Sequence, residues 1–95
     1  MHVITHARIV VAQQRIPECS GAPDVWYRLM KRGTFRTFSE LKSVFSSVDK
    51  VGNLFVFNIG GNKARLIAAI HFNREKVFVR YVLTHAEYDR GDWKE

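Results

Sequence analysis

The sequence has a single cysteine, Cys19, among its 95 residues. One thiol excludes an intrachain disulfide framework and a zinc site built from several cysteines. The sequence also lacks any apolar run close to the roughly 18 residues that a transmembrane helix needs. Its first residues have neither the charged start nor the long apolar stretch of a signal peptide. We therefore expect a cytoplasmic protein.

Acidic residues are scarce relative to basic ones. The chain has 9 Asp and Glu against 15 Lys and Arg, which gives a net charge of +6 at pH 7. Phosphates recruit such charge with release of counterions, so a polyanion is one expected partner and an acidic protein is the other. Hydrophobic content of 46% and charged content of 25% are ordinary globular values. The length suits a single domain over residues 1–95.

The first half of the sequence has the periodicity and end signals of helices. After a possible short strand at Val3-Ile4, apolar spacing predicts a helix from His6 to Ile16, which Pro17 ends. A second helix follows Ser20-Gly21 and ends at Gly33. The capping-box pattern from Thr37 to Glu40 predicts a third helix. Its buried stripe is expected to be Phe38, Leu41, Val44 and Phe45.

The second half of the sequence alternates like strands. Leu54–Ile59 and Asn62–Phe72 flank Gly60-Gly61, which favours a two-residue hairpin turn. A further loop, 73–76, leads into another strand. A capping box from Thr84 to Asp89 predicts a short C-terminal helix, and the tail from Arg90 to Glu95 is expected to fray.

These turns predict a register for the sheet. The expected pairs are Ile59 with Asn62, Asn58 with Lys63, Phe57 with Ala64, Val56 with Arg65, Phe72 with Val77, Ala69 with Arg80, and Arg65 with Thr84. Because side chains alternate across a strand, this register gives one apolar face, which must pack on the helices. That face is expected to carry Phe55, Phe57, Leu66, Ala68, Ile70, Phe72, Val77, Val79, Tyr81 and Leu83. The opposite face is expected to carry Asn58, Lys63, Arg65, His71 and Arg80 between Val56, Ile67, Phe78 and Val82. The predicted fold class is α+β, with helices on one face of an antiparallel sheet.

The same register places the final helix beside Arg65. His85 and Tyr88 are three residues apart and therefore neighbours on that helix, while Asp89, four beyond His85, is placed to orient its ring. Lys63 and Arg80 would add positive charge. These residue types suit metal-free RNA cleavage, in which the 2′-hydroxyl attacks the adjacent phosphorus. One group takes the proton of the attacking 2′-hydroxyl, another protonates the departing 5′-oxygen, and fixed cations stabilise the developing charge.

Structural interpretations of the same residues stay open. Lys63 and Arg80 are also compatible with solvated strand charges, and His85 and Tyr88 with a capped terminal turn. Glu87 is expected to cap the helix rather than act as a base. His2 and His6 lack a third metal ligand at a suitable spacing. The remaining expectations are an unactivated Cys19, an exposed His71, and Trp26 and Phe38 in the core.

Two segments resemble one known family. Residues 58–67, from Asn58 through the Gly60-Gly61-Asn62 turn to Ile67, and residues 84–89, Thr-His-Ala-Glu-Tyr-Asp, are similar to the HigB toxins of type II toxin–antitoxin systems. The resemblance extends over nearly the whole chain. It implies a RelE/ParE-like fold and an mRNA interferase that cleaves messages on the translating ribosome without a metal or other cofactor. It also implies a HigA-like helix-turn-helix antitoxin, through which operator DNA would be bound, and no membrane partner.

Site residues follow from the resemblance together with the register. Arg65 matches the family's arginine after the Gly-Gly-Asn turn and would clamp a phosphate. His85 would give or take a proton, and Tyr88 would transfer a second proton or orient the RNA. These are the expected catalytic residues; Lys63, Arg80 and Asn62 are the expected RNA- or phosphate-binding residues. Ala64 is smaller than the residue expected in many relatives, which removes one contact.

Two other functions compete with cleavage. A ParE-like poison of DNA gyrase would share the fold but would need no proton-transfer groups such as His85 and Tyr88. A passive basic binding module would hold RNA or an acidic partner and would be harmless on expression. The effect of the chain on cellular RNA separates the three functions.

Overall fold

The chain runs through three helices before most of its sheet. The computed structural model describes residues 1–4, 6–16, 21–60, 64–91 and 93. The helices are α1 (His6–Arg15), α2 (Ala22–Arg32), α3 (Phe38–Val44) and α4 (His85–Arg90). The strands are β1 (His2–Ile4), β2 (Asp49–Val51), β3 (Leu54–Ile59), β4 (Ala64–His71) and β5 (Lys76–Thr84), with a 3-10 turn at Phe72–Arg74.

The five strands form one sheet in the order β1-β5-β4-β3-β2. The pairs from β2 to β5 are antiparallel, whereas β1 runs parallel to β5. The α+β class and the antiparallel arrangement are therefore confirmed, as is the short opening strand. The short edge strand β2 and the parallel pairing of β1 have no counterpart in the sequence-based prediction.

The β3–β4 hairpin has a different register from the predicted one. Ile59 pairs with Ala64 and Asn58 with Arg65. All four predicted pairs of this hairpin are wrong by two residues: Ile59 with Asn62, Asn58 with Lys63, Phe57 with Ala64, and Val56 with Arg65. Gly60 has a φ of +62°, a left-handed conformation that suits glycine. A shift of two residues preserves the alternation, so Phe55 and Phe57 still face the helices.

A β-bulge interrupts the β4–β5 ladder. Ala68 pairs with Val79 and Ile67 with Tyr81, which leaves Arg80 as the extra residue. The predicted pairs of Phe72 with Val77, Ala69 with Arg80 and Arg65 with Thr84 are therefore wrong: the observed pairs include Ile70–Val77, Ala69–Phe78, Arg65–Leu83 and Ala64–Thr84.

The bulge also exchanges the faces of the end of β5. Val82 joins the core on the helix side, whereas Leu83 packs in a cluster on the other side of the sheet. Tyr81 is exposed. The predicted faces of these three residues are therefore wrong, because an extra residue reverses the period-two alternation beyond it.

The helices bury the apolar face of the sheet. Ile9 of α1, Ile16 directly after it, and Trp26 and Met30 of α2 are fully buried there. The Trp26 ring meets the edge of Phe57 at 5.4 Å between centroids. The predicted core position of Trp26 is thus confirmed, and Phe38 packs partly buried against the same cluster.

The helix ends and the buried stripe of α3 follow the sequence signals with two differences. Gly33 follows α2, and Thr37 accepts a hydrogen bond from the Glu40 N–H at the start of α3. The Glu40 carboxylate, however, accepts from the N–H of Arg36 rather than that of Thr37. Val44 is 49% exposed, so its predicted burial is wrong. The predicted helix stop at Pro17 lies outside the described residues.

A second apolar cluster covers the other face of the sheet. Leu54, Val56 and Ile67 pack there against Trp93, which is only 3% exposed. The expectation that the tail frays is wrong at this residue, because the indole supplies apolar area that the sheet can bury. Among the helices that the structure describes, none has the length and hydropathy of a membrane-spanning segment.

Candidate active site

The C-terminal helix α4 begins with a complete capping box. The Thr84 hydroxyl accepts a hydrogen bond from the Glu87 N–H at 3.2 Å, and the Glu87 carboxylate accepts one from the Thr84 N–H at 2.9 Å. The predicted capping role of Glu87 is confirmed. Two of the donors that a helix start leaves unpaired are satisfied in this way. The box fixes the direction in which α4 leaves β5.

Glu87 also ties α4 to the first helix. Arg15 of α1 donates from Nη1 to both Glu87 carboxylate oxygens, at 3.0 and 3.2 Å. The bond from the Thr84 N–H, followed by the bond from Arg15, lowers the pKa of Glu87 below its ordinary value of 4.5. The lowered pKa weakens the affinity of this carboxylate for a proton, which makes it a poor general base.

His85 lies in the first turn of α4 with its ring exposed. Its Nδ1 is 2.9 Å from an Asp89 carboxylate oxygen, one helical turn later. This contact confirms the predicted orientation of the ring by Asp89. With a proton on Nδ1 shared with the carboxylate, the Nε2 atom is left to exchange a proton with a substrate.

Arg65, Tyr88 and Trp93 form a stack on the outer face of the sheet. The Arg65 guanidinium carbon lies 5.5 Å from the centroid of the Tyr88 ring. The Tyr88 ring in turn stacks on Trp93, with centroids 5.0 Å apart and planes 14° apart. The Trp93 indole N–H donates to the Tyr88 carbonyl at 3.0 Å. The tail therefore holds Tyr88 between the arginine and the indole.

Arg65 is the buried charge of this site, with 9% of its surface exposed. Its Nη1 donates to the Ala64 carbonyl at 3.2 Å, and the Tyr88 ring covers part of the guanidinium. A cation that is partly removed from water interacts more strongly with a nearby anion than a solvated cation does. The arrangement can therefore stabilise negative charge that develops next to it.

The structure brings together three of the predicted site residues. Tyr88 contacts Arg65 directly, and His85 stands on the same short helix, three residues before Tyr88. Arg80 is different: it occupies the bulge, and it lies three strand residues before Leu83, the partner of Arg65. That separation is about 10 Å along the strand. The predicted Lys63 and Asn62 lie outside the described residues.

Sequence reasoning missed two residues that hold the site. The sequence did carry a signal for the burial of Trp93, because a large aromatic residue in an otherwise polar tail favours packing against the fold. Arg15 gave none, because its partner Glu87 is 72 residues away in the sequence. A contact of this kind is set by the packing of α1 across β5.

His71 and His2 lie apart from this site. His71 is exposed at the end of β4, as predicted, with its ring against the edge of Phe78. His2 is exposed in β1. Among the described residues, no group of three or more His, Cys, Asp and Glu side chains is placed to hold a metal ion. The predicted inert Cys19 lies outside the described residues.

Comparison with known proteins agrees with the resemblance seen in the motifs. Residues 20–91 match the family model for HigB_toxin, described as a RelE-like toxic component of a toxin–antitoxin system. The chain is 35% identical over 92 residues to the mRNA interferase toxin HigB of Escherichia coli strain K12, covering 94% of this chain and 88% of that protein. It is 32% identical over 93 residues to the mRNA interferase HigB of Escherichia coli O6:H1 strain CFT073, covering 95% of this chain and 90% of that protein. The chain therefore belongs to the HigB family of RelE-like toxins of toxin–antitoxin systems.

Proposed function

We propose that this toxin is an endoribonuclease that cleaves mRNA on the translating ribosome. The observation that carries the proposal is the placement of an oriented histidine and a tyrosine on one helix, with the tyrosine against a buried arginine. The relatives named as mRNA interferases support the substrate class. A passive binding module would not need a His85–Asp89 pair on the helix whose Tyr88 contacts that arginine.

The proposed reaction needs no metal ion. The 2′-hydroxyl attacks the adjacent phosphorus, so the O2′–P bond forms and the P–O5′ bond breaks. The products are a 2′,3′-cyclic phosphate and a 5′-hydroxyl. His85 and Tyr88 take the proton of the nucleophile and supply one to the departing oxygen, and Arg65 stabilises the charge on the phosphoryl oxygens. Lys63, Arg80 and Asn62 are proposed to bind the flanking RNA.

The proposed biological setting is a toxin–antitoxin pair in the cytoplasm, where messages are translated. Residues 1–95 act as one toxin domain, and a HigA-like helix-turn-helix antitoxin neutralises it. Operator DNA is contacted by the antitoxin within the complex. The net charge of +6 supports a ribosome-bound RNA substrate for the toxin and an acidic surface on the partner.

The first test induces the chain in bacteria and maps RNA 5′ ends on a reporter message with and without a translatable start. New 5′-hydroxyl ends inside the reading frame, absent when translation is blocked, are the expected result. Purified toxin that has been treated with EDTA and then freed of it should give the same ends on programmed ribosomes, which keep the Mg²⁺ that they need for their own structure. Growth arrest with intact RNA and induced DNA damage would instead indicate a gyrase poison.

The second test separates the site from the fold. His85→Ala and Arg65→Ala are expected to abolish toxicity, while His71→Ala, another exposed histidine, keeps it. Losing a catalytic group of either kind typically reduces the rate by about 100-fold or more. Far-UV circular dichroism and thermal unfolding establish that the variants are folded. If Arg65→Ala does not fold, Arg65→Lys replaces it, because lysine keeps the positive charge but not the guanidinium. Full toxicity of folded His85 and Arg65 variants would contradict the proposed site.

A further inference from the structure

One edge of the sheet is open next to the active-site helix. The parallel strand β1 pairs with β5 only from Lys76 to Phe78. Beyond that point, no strand in the described part of the chain lies on this side of β5, from Arg80 to Thr84. Another extended chain can pair with a strand edge that has no neighbouring strand. Helix α1 lies near this edge, but a helix cannot extend the hydrogen-bond ladder of a sheet.

Two arginines of α1 occupy the backbone carbonyls of this edge. Arg8 donates from Nη1 to the Arg80 carbonyl at 2.6 Å. Arg15 donates from Nη2 to the Val82 carbonyl. Arg8 and Arg15 are seven residues apart, which places them on one face of α1. Two long side chains, rather than a strand, therefore cover the edge, and a change of their rotamers would uncover it.

The surface around this edge is an apolar trough with a basic rim. One part, of about 350 Å³, lies between α1 and β5, and its floor includes Val11, Ala12 and Val82. A second part, of about 200 Å³, shares Tyr81, Leu83 and Glu87 with the first and continues to Arg90 and Trp93. We call the two parts together the edge trough. Its charged lining residues are Arg8, Arg15, Arg80, Arg90 and Glu87.

The lining favours a polypeptide over a bare phosphate chain. Val11 is 57% exposed and Tyr81 is 38% exposed, so the trough offers apolar area that an occupant would bury. Four arginines against one glutamate give it a positive charge, and that glutamate is already paired with Arg15. The trough combines an apolar floor, a cationic rim and a strand edge that has no neighbouring strand. These features suit an extended segment whose side chains alternate between apolar and acidic.

We propose that the edge trough binds such an acidic, extended segment of the antitoxin, added as a strand along Arg80–Leu83. This inference rests on the antitoxin partner proposed above. It locates the contact on α1 and β5, beside α4 rather than over the His85 ring.

The exchange of hydrogen bonds explains why the segment must be acidic. An added strand donates its own N–H groups to the Arg80 and Val82 carbonyls, which displaces Arg8 and Arg15. Arg15 keeps the Glu87 carboxylate, but the displaced Arg8 guanidinium then needs new acceptors, because an unpaired charge at a forming interface is costly. Carboxylates on the added segment supply those acceptors, and a neutral segment would not.

The test measures the affinity of the HigA-like antitoxin for the purified toxin and its variants by titration calorimetry. Arg8→Glu and Val11→Asp are expected to raise the dissociation constant at least tenfold. Two matched controls lie elsewhere: Arg74→Glu makes the same charge change on the far hairpin, and Val25→Asp replaces a valine of α2 that is 59% exposed. Both controls are expected to stay within twofold of the parent chain. Hydrogen exchange at the β5 amides should slow on binding.

The outcomes distinguish this inference from the proposed function. If the antitoxin does not bind even the parent chain, the proposed partner is wrong. If it binds the parent chain and all four variants equally, only the edge trough is wrong. Weakening by Val25→Asp instead would place the antitoxin on the apolar surface of α2 and overturn the inference. Loss of ribosome binding by Arg8→Glu and Val11→Asp, with antitoxin affinity intact, would assign the trough to RNA and overturn it as well.

Discussion

At the scale of single residues, Tyr88 combines a ring that packs with a hydroxyl that can transfer a proton. The ring lies between the Arg65 guanidinium and the Trp93 indole. Tyr88→Phe keeps that stack and removes only the hydroxyl. We expect the folded variant to cleave RNA about 100-fold more slowly, with unchanged ribosome affinity, because one proton-transfer group is lost. Single-turnover cleavage at saturating ribosomes measures the rate.

Tyr88→Leu provides the comparison, since it removes the ring as well. The Arg65 side chain then loses its cover, and we expect weaker ribosome binding in addition to slow cleavage. Equal rates for the parent chain and Tyr88→Phe would show that the ring alone matters. Tyr88 would then be a residue that orients RNA or Arg65 rather than one that moves protons.

The residue scale also shows which parts of the site a sequence can predict. The pairing of His85 with Asp89 follows from helical spacing alone, since residues four apart are neighbours. The burial of Arg65 does not, because it depends on Trp93 returning across the sheet. Local spacing predicts contacts within an element, whereas contacts between distant elements depend on packing that no short pattern encodes.

At the scale of elements, the start of α4 depends on one carboxylate. Glu87 accepts from the Thr84 N–H and from Arg15, so its pKa is lowered, first by the former and then by the latter. The folded chain therefore binds this proton less readily than the unfolded chain does. The resulting stabilisation is complete above the ordinary carboxyl pKa of 4.5 and is lost as the pH falls through the lowered value.

Glu87→Gln should reproduce that dependence. We expect a loss of about 0.5 to 1 kcal/mol at pH 7, a modest value because the Arg15 side chain is 42% exposed and screened by water. That loss should lower the Tm by about 3 °C at pH 7, and the difference should be smaller at a pH well below 4.5. Thermal unfolding monitored by circular dichroism at both pH values measures it.

Arg15→Gln supplies the check on the cause. If the two side chains act through each other, the double variant loses less than the sum of the single losses. Additive losses would show that Glu87 stabilises α4 through Thr84 alone. A Tm difference that grows as the pH falls would contradict the direction of the pKa shift.

The sheet register shows where prediction fails at this scale. The alternation of apolar residues predicted the helix-facing side of β3 and β4, and a two-residue error in the hairpin register did not change that side. The bulge at Arg80 did, because one extra residue reverses the faces of Tyr81, Val82 and Leu83. Nothing in the period-two pattern marks a bulge, since apolar residues occupy both faces of β5 there.

At the scale of the whole molecule, the sheet is covered on both faces but for different purposes. The helices bury the larger cluster on one face. On the other, Trp93 covers a small cluster of Leu54, Val56 and Ile67 and at the same time supports Tyr88. The second cluster therefore joins the stability of the sheet to the geometry of the site.

Substituting Trp93 should consequently affect stability and cleavage separately. We expect Trp93→Ala to cost about 3 kcal/mol, as large-to-small changes at buried aromatics do. Leu41→Ala, a buried change on the helix side, should cost a comparable amount. Measured well below the Tm of both variants, only Trp93→Ala should slow cleavage, because only it removes the support of Tyr88. Trp93→Phe should restore much of the rate, since a ring can again stack on Tyr88. Equal cleavage by Trp93→Ala and Leu41→Ala, once corrected for the folded fraction, would show that the tail serves stability alone.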